Sequence, residues 1–329
     1  MKAKKLNVLS LFDGVGTCYL ALQKAGLEIE NYYSSEIDKS AISVLNYHYS
    51  ANTSFQNIGD VTKVSGLDYA NVDLITFGSP CTQLSSVNPK DRSGLEGPDS
   101  KLFYNAIQIM KDIISVKDKP LHFIAENVAS MSNKNKELIT AELKTVFGEN
   151  VQLYKIDSAL VAPAHRRRYY WTNIPNIKPI APNNSNYQNI LVNGFADREK
   201  ANVVLSSSLT LTNGISRYFE RNIGNIVFKD KDFADLPTEE KLLKYPEILK
   251  ASGYIGKAKS LNNEYSFPND CYRLPSVLEL ERMLTFPPDG YISIVPNVSK
   301  TEKKKLVGLS FTCDVIAHLL QPLQDILIL

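Results

Sequence analysis

The stretch "LNVLSLFDGVGTCYLALQKAG", Leu6 to Gly26, decides the fold class. Its apolar run, Leu6 to Phe12, predicts a buried strand, and "DGVGT" predicts a turn. Cys18 to Lys24 predicts a helix that Gly26 ends. A strand that feeds a helix through a glycine turn opens a βαβ unit. The same rhythm runs outward from there. Tyr32 to Ile37 predicts a second strand and Asp38 to Tyr47 a helix; Val72 to Phe77 predicts a third strand and Ser100 to Ile114 a helix. Leu121 to Glu126, Gln152 to Asp157 and Tyr169 to Asn173 predict further strands. Strands alternating with helices imply an α/β fold with a parallel sheet and right-handed crossovers.

At Ile174 the texture changes. "IPNIKPIAPNNSNYQN" is rich in proline and asparagine and predicts a linker. Beyond it the βαβ rhythm stops, although "SLTLT" before Asn213-Gly214 carries a hairpin signal. The closing "KKLVGLSFTCDVIAHLLQPL" predicts a buried or strongly amphipathic helix that packs back on the first half.

Composition bounds the function classes. With 329 residues, 43% of them hydrophobic, the chain can bury a large core in one domain or two. No apolar run is long enough to span a bilayer, and Met1-Lys2-Ala3-Lys4-Lys5 leads into a strand, not into a signal-peptide core. Cys18, Cys81, Cys271 and Cys313 lie far apart, without metal-ligand spacing, which argues for a reducing compartment and against zinc. A net charge of +2 does not advertise a polyanionic partner, so an anionic ligand must meet a local basic patch.

Three groups of residues carry chemistry. Phe12-Asp13-Gly14-Val15-Gly16, between a strand and a helix, lets the backbone approach a ligand. Glu36 closes the second strand, where an acid can accept from ribose hydroxyls, and Asp60 can accept from an adenine amine. The third glycine of a dinucleotide fingerprint is missing, so a ligand with ribose and adenine but no pyrophosphate suits the loop better than a nicotinamide dinucleotide.

Cys81, after Gly78-Ser79-Pro80, follows the end of a core strand, where open parallel sheets place their chemistry. A thiolate is a strong nucleophile, but a free thiol titrates near about 8.5, so the site must assist it. Glu126 ends the next strand and projects into the same crevice; a carboxyl group partly removed from water can hold or donate a proton. In "APAHRRRYYW", Arg166 and Arg168 alternate to face one way while Arg167 faces the other.

In this order the motifs resemble those of the cytosine-C5 DNA methyltransferase family. "FDGVG" is similar to its S-adenosylmethionine loop, "SEI" to its ribose acid, "GSPC" to its proline-cysteine nucleophile, "ENV" to its acid motif and "AHRRR" to its arginine pair. "LPSVLELERMLTFP" resembles the late motif that packs two domains together, through Glu279, Arg282, Phe286 and Pro287. "VGLSFTCDVIAHLLQPL" resembles the closing motif. "SSVNPKDRSGLEG", "AHRRRYYW" and "VIAHLLQPL" look most like the de novo branch known from animals, here as a stand-alone catalytic domain without room for chromatin-reading domains.

The resemblance implies a Rossmann-like, doubly wound S-adenosylmethionine-dependent methyltransferase domain (residues 1–175 plus 303–329). A smaller target-recognition domain (176–302) would be inserted before the C-terminal helix. It implies that Cys81 attacks C6 of a cytosine flipped out of double-stranded DNA, with Glu126, Arg166 and Arg168 holding the base. S-adenosyl-L-methionine would lie against Phe12, Asp13, Gly14, Gly16, Glu36, Ile37, Asp60, Pro80, Leu102, Ser310 and Phe311. Residues 82–97 would close over the base, with Val87 and Asn88 at the DNA and Lys90 and Arg92 beside it. Arg217 and Lys300 would contact DNA from outside the catalytic motifs. Asn213-Gly214 stands where the de novo branch has an arginine, so a CpG preference is not implied.

Neither a metal nor a membrane is expected. The implied setting is the nucleoid-associated cytoplasm of a bacterial or phage host, or the nucleus of a eukaryote. Three alternatives compete. An RNA (tRNA) cytosine-5 methyltransferase would carry a Cys-Phe-Thr signature in its second domain, which is not found; a catalytically silent DNA-binding homologue would lack Cys81 or Glu126. A nicotinamide oxidoreductase would need the full glycine fingerprint.

Overall fold

The computed structural model describes residues 4–80, 97, 101–206, 217–218, 221–237, 240 and 272–326. Its centre is a seven-stranded sheet in the order β3-β2-β1-β4-β5-β7-β6. The strands are β1 (Leu6–Leu11), β2 (Ile29–Ser35), β3 (Phe55–Asn57), β4 (Leu74–Gly78), β5 (His122–Val128), β6 (Gln152–Asp157) and β7 (Arg167–Thr172). From β3 to β5 every pairing is parallel.

The two faces of the sheet bury separate cores, as the period of two along each strand requires. Leu6 and Val8 of β1, Ile124 of β5 and Tyr170 of β7 pack in one core. Leu9, Leu11, Phe123 and Trp171 pack in the other. The first core is covered by α1 (Thr17–Lys24), α2 (Lys39–Tyr49) and C-terminal segments; the second by α3 (Leu102–Val116) and α4 (Asn133–Phe147). The strand order reverses between β1 and β4, so the loops after these strands diverge and leave a crevice at their carboxyl ends.

The α/β expectation holds, with four corrections. The sheet is not wholly parallel: β7 runs antiparallel to both β5 and β6. Residues 158–166 are too short a connection for the helical crossover that a parallel partner needs. The second strand ends at Ser35 rather than Ile37. There the Glu36 carboxylate accepts from the Ile37 and Asp38 amides (2.8 and 2.7 Å), and Asp38 caps α2 through Ser40 and Ala41, turning the chain.

The proline- and asparagine-rich stretch is packed against the first core: Ile174 and Tyr187 are fully buried, and the Asn183 amide donates to the Leu160 carbonyl (2.8 Å). Lastly, the closing helix is two helices, broken at Ser310-Phe311-Thr312. Ser310 leaves helical geometry at ψ 160 while its hydroxyl donates back to the Leu306 carbonyl (2.8 Å).

Along the rest of the chain, β8 (Val227–Phe228) pairs with β9 (Tyr272–Arg273) over a small cluster of Tyr218, Ile226, Phe228, Ala234 and Tyr272, beside α5 (Lys231–Asp235). Then come α6 (Val277–Met283), α7 (Lys300–Leu309), α8 (Cys313–Leu320) and α9 (Pro322–Ile326). Helix α8 packs on α1, and α7 on α2, so the last helices return to the first βαβ unit. The late motif sits at this junction. Glu279, fully buried, accepts from Arg273 (2.6 and 2.7 Å) and from the Ser276 and Val192 amides. Burial alone would raise its carboxyl, but Arg273 and the two amides hold it below the usual carboxylate range. Arg282 donates to the Pro288 and Ile190 carbonyls, and Phe286 is buried.

Candidate active site

The crevice above β1 and β4 is lined by residues from both halves of the sheet and from the C-terminal helices. Phe12, Asp13, Gly14, Glu36, Ile37, Asp60, Pro80, Leu102, Ser310 and Phe311 meet along one stretch, and Glu126, Arg166 and Arg168 along the next. Of the expected cofactor residues only Gly16 does not line it. Its φ is +77°, and a Cβ there would lie 3.0 Å from Leu45 and 3.4 Å from Tyr49, so this glycine serves packing beneath the loop. Gly14, at φ +61° with open space around its missing Cβ, leaves the loop surface clear for a ligand.

Glu36 organises the loop. Its Oε2 accepts from the Gly14 amide (2.7 Å), while Oε1 holds the Ile37 and Asp38 amides. Each carboxylate oxygen has two lone pairs, so Oε2 keeps one for a hydroxyl in the crevice. Ile37, two-thirds exposed, offers an apolar face beside it. Asp60 accepts from the Thr62 amide (2.9 Å) and hydroxyl (2.8 Å), which hold its carboxyl below the usual range; both bonds use Oδ1.

Asp13 is the unusual group. It is 7% exposed, and Oδ1 accepts from the hydroxyls of Ser10 (2.6 Å) and Tyr32 (2.8 Å), whereas Oδ2 has no hydrogen-bond partner among the described residues. Burial pushes its carboxyl up to about 6, and the hydroxyls of Ser10, Ser34 and Tyr32 offset only part of that rise.

On the far side of the crevice, Arg168 Nε meets Glu126 Oε1 at 2.8 Å, with side chains 15% and 10% exposed. On antiparallel β5 and β7 Glu126 stands opposite Tyr170 and Arg168 opposite Val128, so the two are diagonal neighbours on one face of the sheet. Arg166 is buried at 4% exposure, and its guanidinium donates to the Gly308 carbonyl (3.3 Å), tying β7 to α7. Arg167 is 71% exposed and paired with Asp157 at 3.1 Å, yet it too lines the crevice. The expected alternation of the three arginines therefore shows in their burial and not as a division between facing the crevice and facing away.

Two contributors were not legible as such. A Cβ on Gly78 would come within 2.8 Å of the Phe311 ring and 3.3 Å of Glu126 Oε2, so the missing side chain lets the C-terminal aromatic approach the acid. Asn127, 2% exposed, donates to the Ser79 carbonyl (3.3 Å) and hydroxyl (3.2 Å), fixing the chain that leads to Pro80. "GSPC" and "ENV" contain both residues, but no sequence signal joins Gly78 to Phe311.

Cys81, Val87 and Asn88 lie outside the described residues, as do Lys90, Arg92 and the "SLTLT" segment. Arg217 is half-buried with its carbonyl accepting from the Ile223 amide (3.0 Å); its neighbours Tyr218, Asn222 and Ile223 line the crevice and Arg217 does not. Lys300 is exposed at the first turn of α7 and does not line the crevice. Arg198 does line it, with its guanidinium 4.1 Å over the Tyr218 ring, a placement that no motif signals. Among the described residues, no group of three His, Cys, Asp or Glu side chains could hold a metal, and no helix is long and apolar enough to cross a membrane.

The family model for C-5 cytosine-specific DNA methylases matches residues 6–325. The chain belongs to that family. Among curated relatives, the chain is 34% identical over 170 residues to the orphan methyltransferase M.Rho11sI of Bacillus phage rho11s, covering 50% of the chain and 32% of the relative. It is 28% identical over 176 residues to the Type II methyltransferase M1.ScrFI of Lactococcus lactis subsp. cremoris, covering 51% and 41%. The chain thus spans about a third to two-fifths of the length of the curated relatives it matches.

Solved structures share the fold along nearly the whole chain. Spodoptera frugiperda DNMT2 superposes with a TM-score of 0.65 at 20% identity, covering 97% of this chain and 99% of that one. The Entamoeba histolytica methyltransferase EhMeth gives 0.64 at 16%, covering 98% and 99%. The fold is accordingly a Rossmann-like methyltransferase fold.

Methyltransferases of this family use S-adenosylmethionine. The residues present fit it. Glu36 Oε2 suits a ribose hydroxyl, exposed Ile37 an adenine face, and the partnerless Asp13 Oδ2 a cationic amine.

Proposed function

We propose that the chain is a DNA (cytosine-5-)-methyltransferase that acts on a cytosine flipped out of double-stranded DNA through a covalent adduct with Cys81. The single observation that carries this is the Glu126–Arg168 pair, 2.8 Å apart and nearly buried, across the crevice from the loop that Glu36 organises. A carboxyl group and a guanidinium side by side match the hydrogen-bonding edge of cytosine: Glu126 faces N3 and the amino group, and Arg168 faces O2. Flipping the base costs a few kcal/mol, offset by these contacts.

The chemistry follows from the family resemblance. The Cys81 thiolate forms a bond to C6, which makes C5 nucleophilic. S-adenosylmethionine supplies a methyl group as an electrophile. Once C5 carries the methyl, it loses its proton to a base, the Cys81–C6 bond breaks, and the thiolate leaves. Glu126 stabilises the charge that builds on the ring as C6 becomes tetrahedral. Arg166 anchors α7 next to Ser310 and Phe311, so it supports the pocket from behind.

In this reading residues 1–175 and 303–329 form the catalytic domain, and residues 176–302 read the flanking bases. Val87, Asn88, Arg217 and Lys300 contact the duplex, and the motifs resemble those of the de novo branch most. Relatives from a Bacillus phage and from Lactococcus support a bacterial or phage setting. The test is transfer of labelled methyl from S-adenosylmethionine. Label in double-stranded DNA supports the proposal, and label only in tRNA replaces it with the RNA reading.

A further inference from the structure

Of the polar contacts that hold the loop at Phe12 to Gly16, four fix three of its backbone amides and its Val15 carbonyl, and three of the four come from the first βαβ unit. The Asp13 amide donates to the Ser35 carbonyl (3.2 Å), the Gly14 amide to Glu36 (2.7 Å) and the Gly16 amide to the Asp13 carbonyl (3.2 Å). The fourth does not: the Val15 carbonyl accepts from the hydroxyl of Tyr291 at 2.8 Å. Val15 is 1% exposed, so water cannot take over that acceptor if the hydroxyl is lost.

Tyr291 is itself held on several sides. Its ring stacks on His48, with centroids 3.9 Å apart and planes 4° from parallel. Its carbonyl lies 3.1 Å from His48 Nε2, and since a carbonyl can only accept, that nitrogen carries the proton. Its amide donates to Glu281 Oε1 (3.2 Å), an oxygen that also gathers the amides of Ile292 and Ser293. Glu281 is fully buried on α6. The chain from α6 to Tyr291 is thereby folded around one carboxylate.

Direction within the contact follows from hydrogen count. The Tyr291 hydroxyl lies 2.8 Å from the Val15 carbonyl and 3.1 Å from the Tyr49 hydroxyl. It has one proton, the carbonyl has none, and so Tyr291 donates to Val15 and accepts from Tyr49. Gly16 lies beside this contact: a Cβ there would be 3.5 Å from the Tyr291 hydroxyl oxygen, an ordinary packing distance.

We propose that the Tyr291 hydroxyl is a positioning group for the S-adenosylmethionine loop, so that the segment from Glu281 to Ser293 sets the affinity for that cofactor. This rests on the proposed function, because it assumes that the loop binds S-adenosylmethionine. A loop held in its binding shape before the ligand arrives loses less freedom on binding. The group acts through the Val15 carbonyl and touches no reacting atom.

Tyr291→Phe keeps the ring and its stack on His48 and removes only the donor. Calorimetry with S-adenosylmethionine is expected to show a five- to tenfold loss of affinity, with affinity for an unmethylated duplex within twofold of wild type. Tyr49→Phe leaves the Tyr291–Val15 contact in place and should bind the cofactor within twofold of wild type. Unchanged cofactor affinity in Tyr291→Phe, an equal loss in Tyr49→Phe, or a parallel loss of duplex affinity overturns the proposal. Hydrogen exchange on the wild type adds a test that needs no variant: S-adenosylmethionine should slow exchange at the Ile292 and Ser293 amides as well as in the loop. No slowing there overturns the coupling. If wild type fails to bind S-adenosylmethionine at all, the proposed function falls, and this inference with it.

Discussion

Replacing Asp13 by asparagine separates the energetic cost of a buried carboxylate from its use. In the folded protein this carboxyl is pushed from the ordinary 3.8 up to about 6 by burial. At 1.36 kcal/mol per pH unit, that rise disfavours the ionised form by about 3 kcal/mol. The sign follows from proton binding. Below about pH 4 the group is protonated in both states and contributes nothing. Between about pH 4 and pH 6 the unfolded chain ionises while the folded chain keeps its proton, so stability falls as pH rises; above about pH 6 the loss is complete.

Asparagine does not titrate, and its carbonyl oxygen can still accept from Ser10 and Tyr32. Urea denaturation at a series of pH values should therefore show Asp13→Asn gaining about 2–3 kcal/mol on wild type between pH 4 and pH 7. A difference between the two that stays constant across that range would refute the argument, because it would mean that Asp13 titrates normally. If the Asp13 charge serves the cationic amine of S-adenosylmethionine, the same variant should bind that cofactor at least tenfold more weakly at pH 7. That pairing of greater stability with poorer binding marks a group whose strain serves a ligand.

Gly78→Ala should lower methyl transfer at least tenfold and destabilise the fold by about 1–3 kcal/mol, since its Cβ would lie 2.8 Å from the Phe311 ring; steady-state kinetics and thermal unfolding check both. Arg273→Ala should cost about 3–5 kcal/mol in denaturant titrations, because it strands the fully buried Glu279 carboxylate; a loss under 1 kcal/mol would show that the Ser276 and Val192 amides suffice.

Much of the fold and of the site was legible because the signals were local. Leu6 to Gly26 carries strand, turn and helix in one stretch, and β6 fell at Gln152–Asp157 as expected. Glu126 and Arg168 were readable because a strand's period of two fixes which side chains share a face. The antiparallel β7 was not read, since its direction depends on the length of a connection and on which neighbour the strand joins. The break at Ser310 was missed because "KKLVGLSFTCDVIAHLLQPL" keeps an apolar pattern across it, and apolar pattern alone does not register a capped interruption. Helix α4 carries local signals of its own, an N-cap at Ser132 and a stop at Gly148 with φ +62°. Gly78 with Phe311 and Val15 with Tyr291 lie far apart in the chain, and nothing in one residue names the other.

In the proposed reaction Cys81 forms a bond to C6 of a cytosine held by Glu126 and Arg168. Its most direct test is a duplex carrying 5-fluorocytosine, incubated with the protein and S-adenosylmethionine. After addition and methylation, C5 holds fluorine where a proton would leave, so the thiolate cannot be released. A complex that survives denaturation, with the modified base on the peptide containing Cys81 by mass spectrometry and none formed by Cys81→Ala, is the predicted result. Methyl transfer by Cys81→Ala, or methylation of ordinary DNA by the wild type with no trapped complex on the fluorinated duplex, would contradict it.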